Sequence, residues 1–168
     1  MSIVLDGSNQ TTGGLINAGT AVASTSGTAI TFTGIPSTAK RITVMFNGVS
    51  TSGTSNLVVR IGSGSVVSSG YSSGVGRIAG STSATSTETS GFMVAYIGAS
   101  SNLQIGSMIL NNLSGNLWVS QGSVFSSGYG NQYNNGLITL SGVLDRVIIT
   151  TVNGTDTFAS GSVNIFWE

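Results

Sequence analysis

Hydrophobic residues in this chain come in short bursts rich in Val and Ile, interrupted every few residues by Gly, Ser and Thr. No segment sustains apolar residues at helical spacing, whereas β-branched runs bounded by turn formers are how strands read. The pattern predicts strands over Ala29–Thr33, Arg41–Asn47, Asn56–Ile61, Gly91–Ile97, Leu103–Leu113, Asn116–Ser120, Leu137–Leu140, Arg146–Val152 and Val163–Trp167. Many short strands at close spacing imply an all-β chain, a β-sandwich or jelly-roll-like single domain. At 168 residues the length suits one such unit. The expected division is an extended N-terminal arm over residues 1–28, poor in periodicity, and a β-sandwich over 29–168.

Alternation assigns faces. Ile42, Val44 and Phe46 share one side of their strand and are expected in the core. Val163, Ile165 and Trp167 do the same at the end of the chain, with Phe166 on the other side. In Arg146–Val152 both sides are partly apolar, which marks a central strand or a subunit contact. Asn47-Gly48 and Asn153-Gly154 suit the positive-φ positions of tight hairpin turns. Gly62–Ser90, dominated by Gly, Ser and Thr, reads as a long loop broken at most by short strands near Val66–Val67 and Arg77–Ile78.

Only 6% of residues are charged, five basic against five acidic, where an ordinary soluble domain has about 25%. Neutral Ser, Thr, Asn and Gly hydrate a surface without charge repulsion, so subunits can pack closely, and a homo-oligomer is expected. Five scattered cations make no phosphate-neutralising patch, so neither nucleic acid nor an anionic membrane is an expected partner. No apolar run reaches the roughly 20 residues a bilayer-spanning helix needs. The opening MSIVLDGSNQTTGG has neither the basic nor the apolar region of a secretory leader, so synthesis in a cytoplasm is expected.

Cysteine and histidine are both absent. That removes the thiol nucleophile, the zinc-thiolate site, the commonest general base and the commonest transition-metal ligand, so the chain reads as non-enzymatic and without a cofactor. A carboxylate pair could still run glycoside hydrolysis. However, Asp145 beside Arg146 and Asp156 in NGTDT read as local turn and pairing groups. The stretch Asp6–Gln10 resembles half of a calcium loop that lacks its closing Glu.

One cluster stands out as a contact surface. In LWVSQGSVFSSGYGNQYNNG, Tyr129 and Tyr133 lie among Asn131, Gln132 and glycines, outside the expected strands, while Trp118 sits in an apolar strand as core. Aromatic faces beside amides suit sugar rings, and they suit protein interfaces equally. Tyr71, in a second SSGY, joins them as a candidate loop residue.

Three segments carry a family resemblance: MSIVLDGSNQTTGG, FTGIPSTAKRITVMFNGVSTSGTSNLVVRIGSG and LDRVIITTVNGTDTFASGSVNIFWE. They resemble small proteins encoded in the structural gene regions of tailed bacteriophages and prophages, beside or within tail-fibre genes. The resemblance implies a virion component on the particle exterior, a trimer by analogy with fibres, and an arm that attaches to other virion proteins. It supplies no catalytic residues. The leading expectation is a tail-fibre or receptor-binding component touching host surface glycan or protein through Tyr71, Tyr129 and Tyr133. The alternative is a capsid decoration (cement) protein, and a polysaccharide depolymerase ranks third.

Overall fold

The computed structural model describes residues 16–79 and 81–168. The calcium-loop resemblance at Asp6–Gln10 and the first half of the expected arm lie outside the described residues. Among the described residues fourteen strands follow in order: β1 (Asn17–Ala18), β2 (Val22–Ala23), β3 (Ala29–Thr33), β4 (Arg41–Thr51), β5 (Leu57–Ser63), β6 (Ser65–Val66), β7 (Ser72–Ala79), β8 (Thr82–Glu88), β9 (Phe92–Ala95), β10 (Gln104–Ser114), β11 (Leu117–Ser126), β12 (Gly130–Thr139), β13 (Arg146–Thr151) and β14 (Phe158–Trp167).

They form two antiparallel sheets packed as a sandwich. The larger runs β1-β14-β4-β10-β11-β12-β7-β8, with β2 also on β14, and the smaller runs β3-β13-β5-β6, with β9 also on β5. Each expected strand is present, and β3 has the expected bounds. The described part of the arm lies on the chain's own sheet: Asn17 and Ala18 pair with Trp167 and Phe166, and Val22 and Ala23 with Val163 and Ser162.

The core lies between the sheets, where alternation placed it. Ile42, Val44 and Phe46 are buried, as are Val163, Ile165 and Trp118, and Trp167 packs against them. Strand β13 is central in the smaller sheet, between β3 and β5, with Val147, Ile148 and Ile149 all buried. Phe92 reaches across the sandwich to a gap at Gly136, where a Cβ would lie 2.8 Å from its ring.

Two expectations are corrected. Gly62–Ser90 is not a loop, since it carries β6 and the whole β7–β8 hairpin, which pairs with β12 from Asn131↔Ile78 to Leu137↔Ser72. Its period-two signal consists of Tyr71, Ser73, Val75 and an inward Arg77, with mainly Gly and Ser between them. A run so poor in large apolar side chains is strand because its main chain completes a ladder.

Asn47-Gly48 is not a hairpin turn either. It lies inside β4 as a bulge: Phe46 faces Gly106 and Val49 faces Gln104, so two residues on β4 oppose one on β10. On the other side Asn47 faces Ser162 and Ser50 faces Ser160. Gly48 (φ 64°), Gly106 (φ 145°) and Gly161 (φ 90°) therefore line up across three neighbouring strands, all in the left-handed half of backbone space. The extra residue shifts the alternation, so that Val49 and Thr51 are buried after Phe46. At Gly161 a Cβ would lie 2.4 Å from the carbonyl oxygens of both Asn47 and Gly48. Gly161→Ala is expected to cost about 2–4 kcal/mol in urea unfolding. Gly34→Ala, where φ is 75° but the space is open, should cost only about 1–2 kcal/mol.

Candidate functional site

The five residues picked out in the sequence separate into three environments. Tyr71 is buried, its ring edge-on to Phe92 at a centroid distance of 5.0 Å. Its hydroxyl accepts from the Ile61 N–H at 2.8 Å and lies 3.1 Å from the Val67 carbonyl, to which it can donate. That closes the β5–β6 turn, so Tyr71 is a core residue and not a contact residue. Gln132 is also buried. Its amide mimics a strand partner for Tyr96, donating to the Tyr96 carbonyl (3.1 Å) and accepting from its N–H (2.8 Å).

Tyr129 is half-buried. It packs edge-on to Tyr96 at 5.2 Å, and the Arg77 guanidinium carbon lies 4.1 Å from the Tyr96 ring centre and 4.5 Å from that of Tyr129. This cation–π arrangement holds Arg77 on the inner side of the sheet. Only Asn131 and Tyr133 are exposed together, on the outer face of β12.

Tyr133 is not in a loop, as the sequence had suggested. It is the fourth residue of β12, paired with Ser123 on one side and Gly76 on the other. Strand alternation turns Gln132, Asn134 and Ile138 inward and Asn131, Tyr133, Asn135 and Leu137 outward. The outward set borders two shallow depressions on the face of the larger sheet. One, of about 530 Å³, is lined in part by Ser72, Gly74, Thr87, Asn135 and Leu137. The other, of about 370 Å³, is lined in part by Ser107, Ile109, Gln121, Ser123, Tyr133 and Asn135. They share Asn135 and together form a trough that crosses β10, β11, β12, β7 and β8.

Ladder register explains the depth on one side. Gly76 stands beside Tyr133, and Gly74 beside Asn135, so β7 offers bare backbone where its neighbour offers side chains. A Cβ added at Gly76 would meet nothing within 4 Å. No residue lining either depression is charged. Sequence reading missed Gln121, Asn135, Ser72 and the two glycines. The alternation Asn131, Tyr133, Asn135, Leu137 was the available signal for the β12 part.

Among the described residues the carboxylates are held in separate local networks. Asp145 accepts from Arg146 Nε at 2.7 Å and from the Gly64 N–H at 3.0 Å, and these bonds hold its carboxyl below the usual range. Asp156 accepts from the Ser55 N–H (3.0 Å) and from Asn153 Nδ2 (2.8 Å). For Glu88 burial acts to raise the carboxyl, but hydrogen bonds from Ser90 and Thr89 together with the charge of Arg60 outweigh it and leave it lowered. Glu168 pairs with Arg41. Among the described residues no three His, Cys, Asp or Glu side chains come together as a metal site. No family model, curated protein or solved structure matches the chain.

Tyr71 yields a pH prediction. Burial, partly offset by the Ile61 hydrogen bond and the charge of Arg60, pushes its hydroxyl up to about 12 from 10.0. A phenol with a raised folded-state pKa stabilises the fold fully below the unfolded value and loses that contribution as pH climbs through the folded one. Unfolding free energy should thus fall between about pH 10 and 12, by about 2–3 kcal/mol. Tyr71→Phe should remove that alkaline slope while costing about 1–3 kcal/mol at neutral pH, because Ile61 loses its buried partner. Denaturant titrations across that range check both.

Proposed function

We propose that this chain is a non-enzymatic structural protein on the exterior of a tailed-bacteriophage virion, made in the bacterial cytoplasm, and that it acts as a tail-fibre or receptor-binding component. The observation that carries the reading is the open, uncharged trough on the larger sheet, centred on Tyr133 and Asn135. A sheet face free of charge, with aromatic and amide groups pointing out, is suited to touching another surface, and the segments quoted above supply the phage setting. A β-sandwich hosts many functions, so the fold alone decides nothing here.

Self-association uses a different part of the same face. Ile105 and Phe125 are cross-strand partners, and Phe125, Asn131 and Ile78 follow in one row across β11, β12 and β7. Ile78, Ile105 and Phe125 are each about half exposed. Because the row carries no charge, identical copies meet there without repulsion, and the analogy with fibres makes a homotrimer the favoured assembly. Two residues along each strand, roughly 7 Å, separate this row from that of Ser123 and Tyr133, and four, roughly 13 Å, from that of Gln121 and Asn135. Sedimentation should show an oligomer for the native chain and a shift to monomer for Phe125→Ser with Ile105→Ser.

The capsid-decoration reading has one observation of its own. The described arm lies flat along β14, and Ile16 at its start is exposed, as in a strap continuing onto a neighbour. Virions lacking the protein decide between the two: lost host adsorption with sound heads is expected, whereas normal adsorption with heat-fragile heads favours decoration.

A further inference from the structure

Resting on the reading of the trough as the surface that meets the host, we infer that its ligand is an extended, neutral glycan laid across the strands. Three properties of the site converge on that class. The first is what the trough offers for hydrogen bonding. Ladders on both sides use the main-chain donors and acceptors of β10, β11, β12 and β7 on their neighbours. A peptide laid across these four strands would find no free strand edge for its own backbone groups; the sheet's edge is at β8, on the side away from β7. What remains outward is the amides of Gln121 and Asn135 and the hydroxyls of Ser72 and Thr87. An amide carries donor and acceptor together, which matches adjacent sugar hydroxyls. Tyr133, half exposed, adds an aromatic face for the C–H side of a ring.

The second property is electrostatic. A sugar carboxylate or sulfate losing water in the trough needs a cation in exchange, and the lining has none. The nearest arginine along β7, Arg77, points inward and is stacked on Tyr96 and Tyr129. Glu88, the residue after Thr87, alternates to the other side of β8 opposite buried Ser73 and accepts from the Thr89 and Ser90 N–H groups. Acidic glycans are disfavoured because the lining offers them no cation.

The third property is shape. The trough spans five strands, about 19 Å at the usual interstrand spacing, enough for several sugar rings end to end. Its floor on the β7 side is bare at Gly74, and Gly76, the next outward position of that strand, stands bare beside Tyr133 at the margin. At Gly76 a side chain fits without collision and without left-handed backbone, and a β-branched residue suits an extended strand. Gly76→Val therefore puts a branched side chain directly beside Tyr133, where it crowds a ring stacked on that tyrosine, while leaving the fold at least as stable.

The test is binding of the purified full chain to an array of linear neutral oligosaccharides of hexose and N-acetylhexosamine, from mono- to hexasaccharide, printed beside sialylated and uronate-containing counterparts. Titration calorimetry on the best neutral hit follows. Neutral chains should bind, with affinity rising with length. Gly76→Val and Tyr133→Ala should each lower affinity about tenfold or more without lowering the unfolding midpoint, and Leu113→Ser, at the exposed β10–β11 turn, should change nothing. Preference for acidic sugars, equal affinity for monosaccharide and hexasaccharide, or full affinity in Gly76→Val overturns the inference. Adhesion to host cells with no array glycan bound also overturns it while leaving the host-contact reading standing; if cell adhesion is absent as well, that reading falls with it.

Discussion

The main-chain hydrogen-bond ladder of the larger sheet is the constraint on which everything else here depends. Strands such as Ser72–Ala79 and Thr82–Glu88 bring few large side chains to a core, and Gly, Ser and Thr contribute little burial of their own. The first is a strand because β12 already presents a row of donors and acceptors to be met, and the second because the first presents another in turn. Antiparallel register then distributes the side chains to either face. The apolar material is concentrated on β4, β5, β9, β10, β13 and β14, where the two sheets press together. The Gly- and Ser-rich hairpin extends the surface outward from that centre.

Within this frame the interior is not uniformly oily. Buried Gln132, Asn134 and Ser73 bind main-chain groups of β9 or of the residue just after it: Asn134 donates to the Val94 carbonyl, and Ser73 accepts from the Met93 N–H. These side chains tie a short strand of the smaller sheet to the larger one by specific bonds. Packing alone would allow β9 to slide, and the amides set its register. The bulge through Gly48, Gly106 and Gly161 does a related job at the other end, letting β4 keep Val49 in the core after the strand bends.

Much of the architecture was legible in the sequence wherever alternation ran through large residues, as in Ile42, Val44 and Phe46 or Val163, Ile165 and Trp167. It faded where the alternating residues were small. Tyr71 does lie between strands, but it is buried rather than at a contact surface, because its partners, the Ile61 main chain and the Phe92 ring, come from other segments. Asn47-Gly48 was read as a turn because a left-handed glycine serves a hairpin and a bulge equally well, and only neighbouring strands distinguish them. At the site, Tyr133 and Asn131 could be picked out as aromatic and amide groups in a polar run. Gln121, Asn135 and Gly76 could not, since their roles exist only once the β11–β12–β7 register places them side by side.

The neutrality of the trough also bears on where such a contact can work. Attraction between charges fades as ions crowd around them, over a screening distance of about 10 Å at 0.1 M salt and 3 Å at 1 M. A surface that holds its partner through amides, hydroxyls and one aromatic face has no such dependence. Its grip would be much the same in fresh water and in brine. In the proposed contact, the scarcity of charge that first marked this sequence thus becomes an indifference to the medium.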